Sequence, residues 1–186
     1  MNYATIKYCD VANGTGVRTV LFVSGCRLHC PFCFNEAAWN FHAGTPFTSD
    51  VEDEIIKSLE PDYIDGLSVL GGEPFEPENQ EGLVFFLERV RSTFPQKSIW
   101  MYSGHTWNEL MVGGCQFTPF TMRILKAIDV LVDGPFIMAK KDITLRFRGS
   151  SNQRIIDVPA SIKANHVVLW SDDPLYASHA WSDSSS

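Results

Sequence analysis

Three cysteines crowd one short stretch, Gly25-Cys26-Arg27-Leu28-His29-Cys30-Pro31-Phe32-Cys33, with the spacing Cys-x3-Cys-x2-Cys. Thiolates are soft ligands that suit zinc or iron–sulfur clusters. Three of them on one loop can hold three irons of a four-iron cube. No cysteine follows at ferredoxin-like spacing, so the fourth iron would be left open to a substrate. The competing reading is a structural zinc, with His29 or Cys115 as its fourth ligand. His29 adjoins Cys30, which is poor geometry for one tetrahedral ion, and zinc sites usually pair their ligands in two knuckles where this chain has one. The spacing therefore favours a cluster over zinc. Cys9 and Cys115 stand alone and are expected to be buried as small hydrophobes.

A second candidate is Gly71-Gly72-Glu73-Pro74. Paired glycines let backbone approach a ligand closely and leave N–H and C=O groups free to bond it. The same residues also suit a plain turn with Glu73 in solvent. Gly14-Thr15-Gly16 is no dinucleotide fingerprint, because that motif needs a strand before it and a helix after it. Asp133-Gly134 is either a simple turn or a ligand contact. The 148–154 run carries Arg148 and Arg154, whose forks suit a carboxylate of a cofactor or a partner. His29, His42, His105, His166 and His179 show no ligand spacing and receive no role.

These residues need a frame. Residues 18–24 (RTVLFVS) are apolar and β-branched and read as a buried strand that feeds the cysteine loop. Ser49 and Asp50 open a helix that Pro61 stops. Residues 66–70 form a second strand ending at Gly71-Gly72. Residues 78–94 have helical spacing in Leu83, Phe86, Leu87 and Val90. A third strand spans 98–102, a helix runs from Thr118 to Ala127, and a fourth strand covers 128–132. Residues 154–158 and 166–170 are weaker strands, and about 171–186 reads as a frayed tail. Strands alternating with helices imply an α/β fold with a mainly parallel sheet. A full eight-fold barrel takes about 250 residues, so this chain of 186 residues is expected to form an open, partial (β/α) barrel as a single domain, 1–186. Such folds place their chemistry at the C-terminal ends of strands. The cysteine loop, Gly71-Gly72-Glu73 and Asp133-Gly134 all fall there.

Composition narrows the class. With 45% hydrophobic residues the chain can bury a core, and its net charge of -7 disfavours a nucleic-acid surface. No stretch is apolar enough to span a bilayer, and residues 1–10 lack a signal peptide's apolar run. A cytoplasmic protein is expected, with no nucleic acid and no membrane among its partners. An odd, clustered set of cysteines in that setting reads as metal binding rather than disulfides.

Cys26-x3-Cys30-x-Phe32-Cys33 resembles the motif of the radical S-adenosylmethionine superfamily, including the aromatic residue before the last cysteine. The resemblance implies that Cys26, Cys30 and Cys33 ligate a [4Fe–4S] cluster. Its open iron would chelate the methionine moiety of S-adenosylmethionine, with Phe32 and Phe34 beside the nucleoside. Gly71, Gly72 and Glu73 resemble the superfamily's Gly-Gly-Glu segment, which contacts the methionine amino group. Asn13-Gly14-x-Gly16-x-Arg18 is similar to the entry of glycyl-radical activating enzymes. With Leu131-Val132-Asp133-Gly134-Pro135-Phe136 and Arg148-Gly149-Ser150-Ser151-Asn152-Gln153-Arg154, it resembles the family that activates anaerobic ribonucleoside-triphosphate reductase. That likeness implies hydrogen abstraction from a glycine of the reductase large subunit, and a reducing partner such as a flavodoxin. The alternatives are a pyruvate formate-lyase-type activase, a small-molecule radical enzyme like 7-carboxy-7-deazaguanine synthase, and, from another class, a zinc-stapled interaction domain.

Overall fold

The computed structural model describes residues 1–33 and 35–171. Phe34 and the tail beyond Ser171 lie outside the described residues. In chain order the strands are β1 (Asn2–Asp10), β2 (Arg18–Val23), β3 (Thr45–Pro46), β4 (Gly66–Gly71), β5 (Ser98–Tyr102), β6 (Val130–Asp133) and β7 (Arg154–Asp157). The helices are α1 (Ser49–Ser58), α2 (Pro77–Thr93), α3 (Trp107–Leu110), α4 (Thr121–Ala127) and α5 (Val158–Ala164). One seven-stranded sheet runs in the order β3-β1-β2-β4-β5-β6-β7. Its centre, β2-β4-β5-β6, is parallel throughout. β1 pairs antiparallel with β2 and β3, and β7 antiparallel with β6. The sheet is α/β and mostly parallel at its core, and no pairing among the described residues closes it.

Alternation along the strands separates two faces. Leu21, Val23, Leu67, Val69, Ile99, Met101 and Leu131 point to one side, into the main core with Ile55 of α1, Leu83 and Leu87 of α2, Leu110 of α3 and Ile124 of α4. Val20, Phe22, Leu70 and Tyr102 cluster separately, as do Trp100, Val130 and Val132. Successive side chains of a strand point to opposite faces, so the helices all pack on one side. The other side is left for a cavity.

The start of that second face is filled by a charged residue. Arg18 is fully buried. Its Nε donates to Ser68 Oγ at 2.8 Å, Nη2 to the carbonyls of Leu67 and Ser98 at 2.8 and 2.7 Å, and Nη1 to Thr15 O at 3.0 Å. The guanidinium also lies over the Trp100 ring, 5.6 Å from its centre. Gly66 makes room for this: a Cβ there would stand 1.9 Å from Ser98 O and 2.9 Å from Arg18 Nη2.

Several expectations need correction. β1 was not predicted from its residues. It lies next to the two-residue edge strand β3, with five of its nine residues exposed, so no apolar alternation marks it. Two irregularities in its pairing fall between Tyr3 and Thr5 and between Lys7 and Asp10. Cys9, with φ +56°, sits in the second and is exposed, not buried. Cys115 is exposed as well. Residues 166–170 make only a single bridge, Leu169 to Ile156. After β7 the chain turns into α5, whose start is capped by the Asp157 side chain accepting from Ala160 N at 2.8 Å.

Replacing Arg18 by Met keeps the bulk but strips the guanidinium from two buried acceptors, Ser68 Oγ and Leu67 O, and from the part-buried carbonyls of Thr15 and Ser98. Each unpaired group costs about 1–3 kcal/mol. Urea denaturation is expected to show a loss of about 3 kcal/mol or more, and a loss below about 1 kcal/mol would contradict the buried network.

Candidate iron–sulfur centre

β2 delivers the chain to Ser24 and Gly25, where it must turn sharply. Gly25 has φ +98°, and a Cβ there would lie 2.3 Å from the Phe41 ring. The short helical turn Glu36–Trp39 closes back on the loop, since Gly25 N donates to Ala38 O at 2.7 Å and Cys26 N to Trp39 O at 3.2 Å. Within the loop, His29 and Phe32 both adopt left-handed backbone, at φ +46° and +61°. Non-glycine residues rarely do so, and such strain concentrates at functional turns. Cys33 N donates to Cys30 O at 3.1 Å, which turns the chain between those two thiols.

The end of β4 meets this loop backbone to backbone. Gly72 N donates to Val23 O at 2.7 Å and Glu73 N to Gly25 O at 2.8 Å. The approach is so close that a Cβ on Gly72 would stand 2.5 Å from Gly25 O. Two residues of the following segment complete the joint. Asn79 is fully buried, and its Nδ2 donates to Ser24 O at 3.0 Å and to Glu73 O at 2.9 Å. Glu76, 1% exposed, accepts from Arg27 N at 2.7 Å and is ion-paired with the Arg27 guanidinium, which also stacks over Phe41 at 4.3 Å. Sequence reasoning missed both. Their only signal is a polar run, Glu76-Pro77-Glu78-Asn79-Gln80, where a buried helix start would be expected to be apolar.

A cavity of about 690 Å³ opens on the sheet face opposite the helices. Cys26, Cys30 and Cys33 line it together with Gly71, Gly72 and Glu73, so the two motifs share one chamber. Phe32 also lines it, but stands 70% exposed at its mouth rather than packed. Leu70, Tyr102, Val132 and Phe147 form apolar walls, and the 136–149 segment adds Phe136 and Arg148.

Burial dominates the electrostatics of the chamber's polar groups. Burial pushes the Cys26 thiol up to about 11, and burial with the neighbouring Cys33 raises Cys30. A metal bound there would take the thiolates and displace these protons. Glu73 is not in solvent. It is 1% exposed, and its carboxyl accepts from Phe75 N at 2.8 Å, Ser103 Oγ at 2.9 Å and Gly104 N at 2.8 Å. Burial still outweighs these donors and lifts it to about 7.

Other expected site residues lie elsewhere. Asp133 does not face the cavity as a free carboxylate. It is 1% exposed, takes a two-pronged ion pair from Arg154, and accepts from Trp107 N at 2.7 Å. Gly134 does line the cavity. Of the 148–154 run, Arg154 is thus held within the fold, while Arg148 reaches the chamber and donates to Gln153 O at 2.8 Å. His29 stacks on Trp39 with ring centres 4.5 Å apart. Cys115 sits beside Glu109, at 3.8 Å. Among the described residues, the three loop thiols are not a set converging within 4.8 Å as ligands of one ion would.

The residues present therefore match an iron–sulfur site: a soft donor set, a chamber beside it, and glycine backbone within reach. A family model described as a 4Fe-4S single cluster domain matches residues 12–156, which defines the class of this fold and site. The anaerobic ribonucleoside-triphosphate reductase-activating protein of Escherichia coli K12 is 40% identical over 155 residues, covering 82% of this chain and 96% of that protein. Its counterpart in Pasteurella multocida is 41% identical over 157 residues, 83% of this chain and 96% of that protein. The protein of that name in Enterobacteria phage T4 is 36% identical over 157 residues, 83% of this chain and 93% of that protein. The chain belongs to the family of anaerobic ribonucleoside-triphosphate reductase-activating proteins.

Glu73 makes a pH-dependent prediction. Its folded value of about 7 lies above the ordinary 4.5, so the folded state holds the proton more tightly. Stability is then greatest below about pH 4.5 and falls as pH rises through 7. Relative to Glu73→Gln, the cluster-free wild type is expected to lose roughly 3 kcal/mol by about pH 8. Parallel melting curves for the two proteins across that range would contradict the buried, protonated carboxyl.

Proposed function

We propose that this chain is the activating enzyme of an anaerobic ribonucleoside-triphosphate reductase and generates the glycyl radical on its large subunit. The observation that carries the reading is the meeting of Cys26, Cys30 and Cys33 with Gly71, Gly72 and Glu73 on one chamber, in a chain whose relatives bear that name. The three cysteines would hold a [4Fe–4S] cluster, and S-adenosylmethionine would sit against Gly71, Gly72 and Glu73. When bound, these groups supply a 5′-deoxyadenosyl radical able to take a hydrogen atom from a glycine.

The chain's own residues hold, orient and shield. Gly71 and Gly72 bring backbone to the chamber without side chains in the way. The Glu73 carboxyl, fixed by Ser103 and Gly104, is a countercharge for an ammonium group, which would draw it back to its ionised form. Leu70, Tyr102, Val132 and Phe147 keep the inner wall dry, which protects a reactive species from solvent. Phe32 at the mouth, with Phe34 next to its neighbour Cys33, would cover the nucleoside.

The open sheet with its helices on one side fits a partial radical S-adenosylmethionine barrel made as a single domain from residues 1–186. A flavodoxin-type protein is the proposed electron donor, and the cytoplasm the proposed location. No helix among the described residues is long and apolar enough to cross a membrane.

Anaerobic reconstitution and reduction should yield 5′-deoxyadenosine from S-adenosylmethionine. Mixing with the reductase should give a glycyl-radical EPR doublet. Cys30→Ala should lose the cluster, the cleavage and the doublet together. Full cleavage by Cys30→Ala would overturn the ligand assignment. Cleavage with no doublet would point instead to a small-molecule substrate.

A further inference from the structure

A second group of metal-ligating side chains stands outside the cysteine loop. His105, Glu109 and Cys115 each present one ligand atom, and the three atoms lie within 4.8 Å of one another. Their spacing, His-x3-Glu-x5-Cys, starts at the exit of β5 and crosses α3. The turn after α3 brings the cysteine back: Gly113 has φ +89°, and a Cβ on Gly114 would lie 2.3 Å from Glu109 O. Gln116 N then donates to Glu109 O at 3.0 Å, which pins the returning chain beside the helix.

The carboxylate of Glu109 is divided between two tasks. Its Oε2 accepts from Thr106 N at 2.7 Å and Thr106 Oγ1 at 2.6 Å, closing the cap of α3. That leaves Oε1 between His105 Nδ1 at 3.9 Å and Cys115 Sγ at 3.8 Å. The 3.9 Å separation is beyond hydrogen-bond length. His105 itself is 6% exposed, and its buried Nε2 has no hydrogen-bond partner among the described residues. An ion seated beside Oε1 and Sγ would bind Nδ1, the ring nitrogen that faces Oε1.

We propose that His105, Glu109 and Cys115 form a mononuclear zinc site, distinct from the cysteine loop, that staples the 111–117 turn to the end of β5. One imidazole, one carboxylate and one thiolate form a mixed N, O, S set that zinc accepts. The two anionic ligands neutralise a divalent ion. Tetrahedral bonds of ordinary length would place the ligand atoms about 3.3–3.8 Å apart, so the set needs to close by at most about 1 Å. The fourth position is left to water. The staple's place gives it a purpose, because His105 directly follows Ser103 and Gly104, the residues that hold the Glu73 carboxyl at the chamber.

The test uses the full chain with its cluster loaded, supplied with equimolar zinc chloride and desalted anaerobically. Elemental analysis should find one zinc per chain beyond the cluster iron, and the zinc X-ray absorption edge should report one sulfur among nitrogen and oxygen ligands. Cys115→Ser and His105→Gln should each lower retained zinc at least tenfold while leaving the iron content unchanged. Cys9→Ser, which alters the other isolated exposed thiol, should keep the zinc. Zinc absent from the wild type, zinc retained by Cys115→Ser, or a zinc site with two or more sulfurs would each overturn the proposal.

Discussion

The carbonyl of Gly25 is the point at which the two halves of the site are joined. It accepts the N–H of Glu73, and the Gly72 backbone lies so close that no side chain fits between them. This contact continues the parallel pairing of β2 with β4 past the end of the strands. It therefore inherits the register of that pairing, Val23 opposite Gly71. A slip of one residue would turn the cysteine loop away from Gly71-Gly72-Glu73, because alternate residues face opposite sides of a sheet. The long buried strands behind the joint keep that register in place.

Buried polar groups near the joint are used to hold backbone rather than to perform chemistry. Asn79 ties carbonyls from both loops to the start of α2, Glu76 grips Arg27 within the cysteine loop, and Asp133 grips Arg154 at the end of β6. A buried charge is tolerated when paired and hydrogen-bonded. Arg18 applies the same rule at the opposite end of the sheet, where it fills the space below the chamber. Glu73 is the exception. It has three donors and, among the described residues, no ion-pair partner, and burial lifts its pKa. A carboxyl left in that condition beside a cavity marks the place where a positive ligand group would restore the balance.

Much of the frame was legible along the chain. The β2, β4, β5 and β6 strands and the α1, α2 and α4 helices carry strong apolar patterns and clear stop signals, so their places were expected to within a few residues. The edges were not. β1 is half exposed and paired with irregularities, β3 has two residues, and α3 and α5 are one or two turns held by caps. Such elements exist because neighbours offer them hydrogen bonds, and no periodicity announces them. Cys9 and Cys115 were expected inside for their chemistry, but their positions in an irregular stretch of β1 and after a glycine turn leave them exposed.

The sequence by itself determined the cysteine spacing, the strand ends that carry it, and the family to which the chain belongs. Residue type and close spacing are local properties, and one short loop holds all three thiols. Tertiary structure alone decided what stands across from what. It placed Glu73 in the interior instead of in solvent, turned Asp133 toward Arg154, and recruited Glu76 and Asn79 as struts. It also gathered His105, Glu109 and Cys115 across a helix and a turn. Those pairings depend on where separate strands and helices come to lie, and only the packed sheet sets those distances.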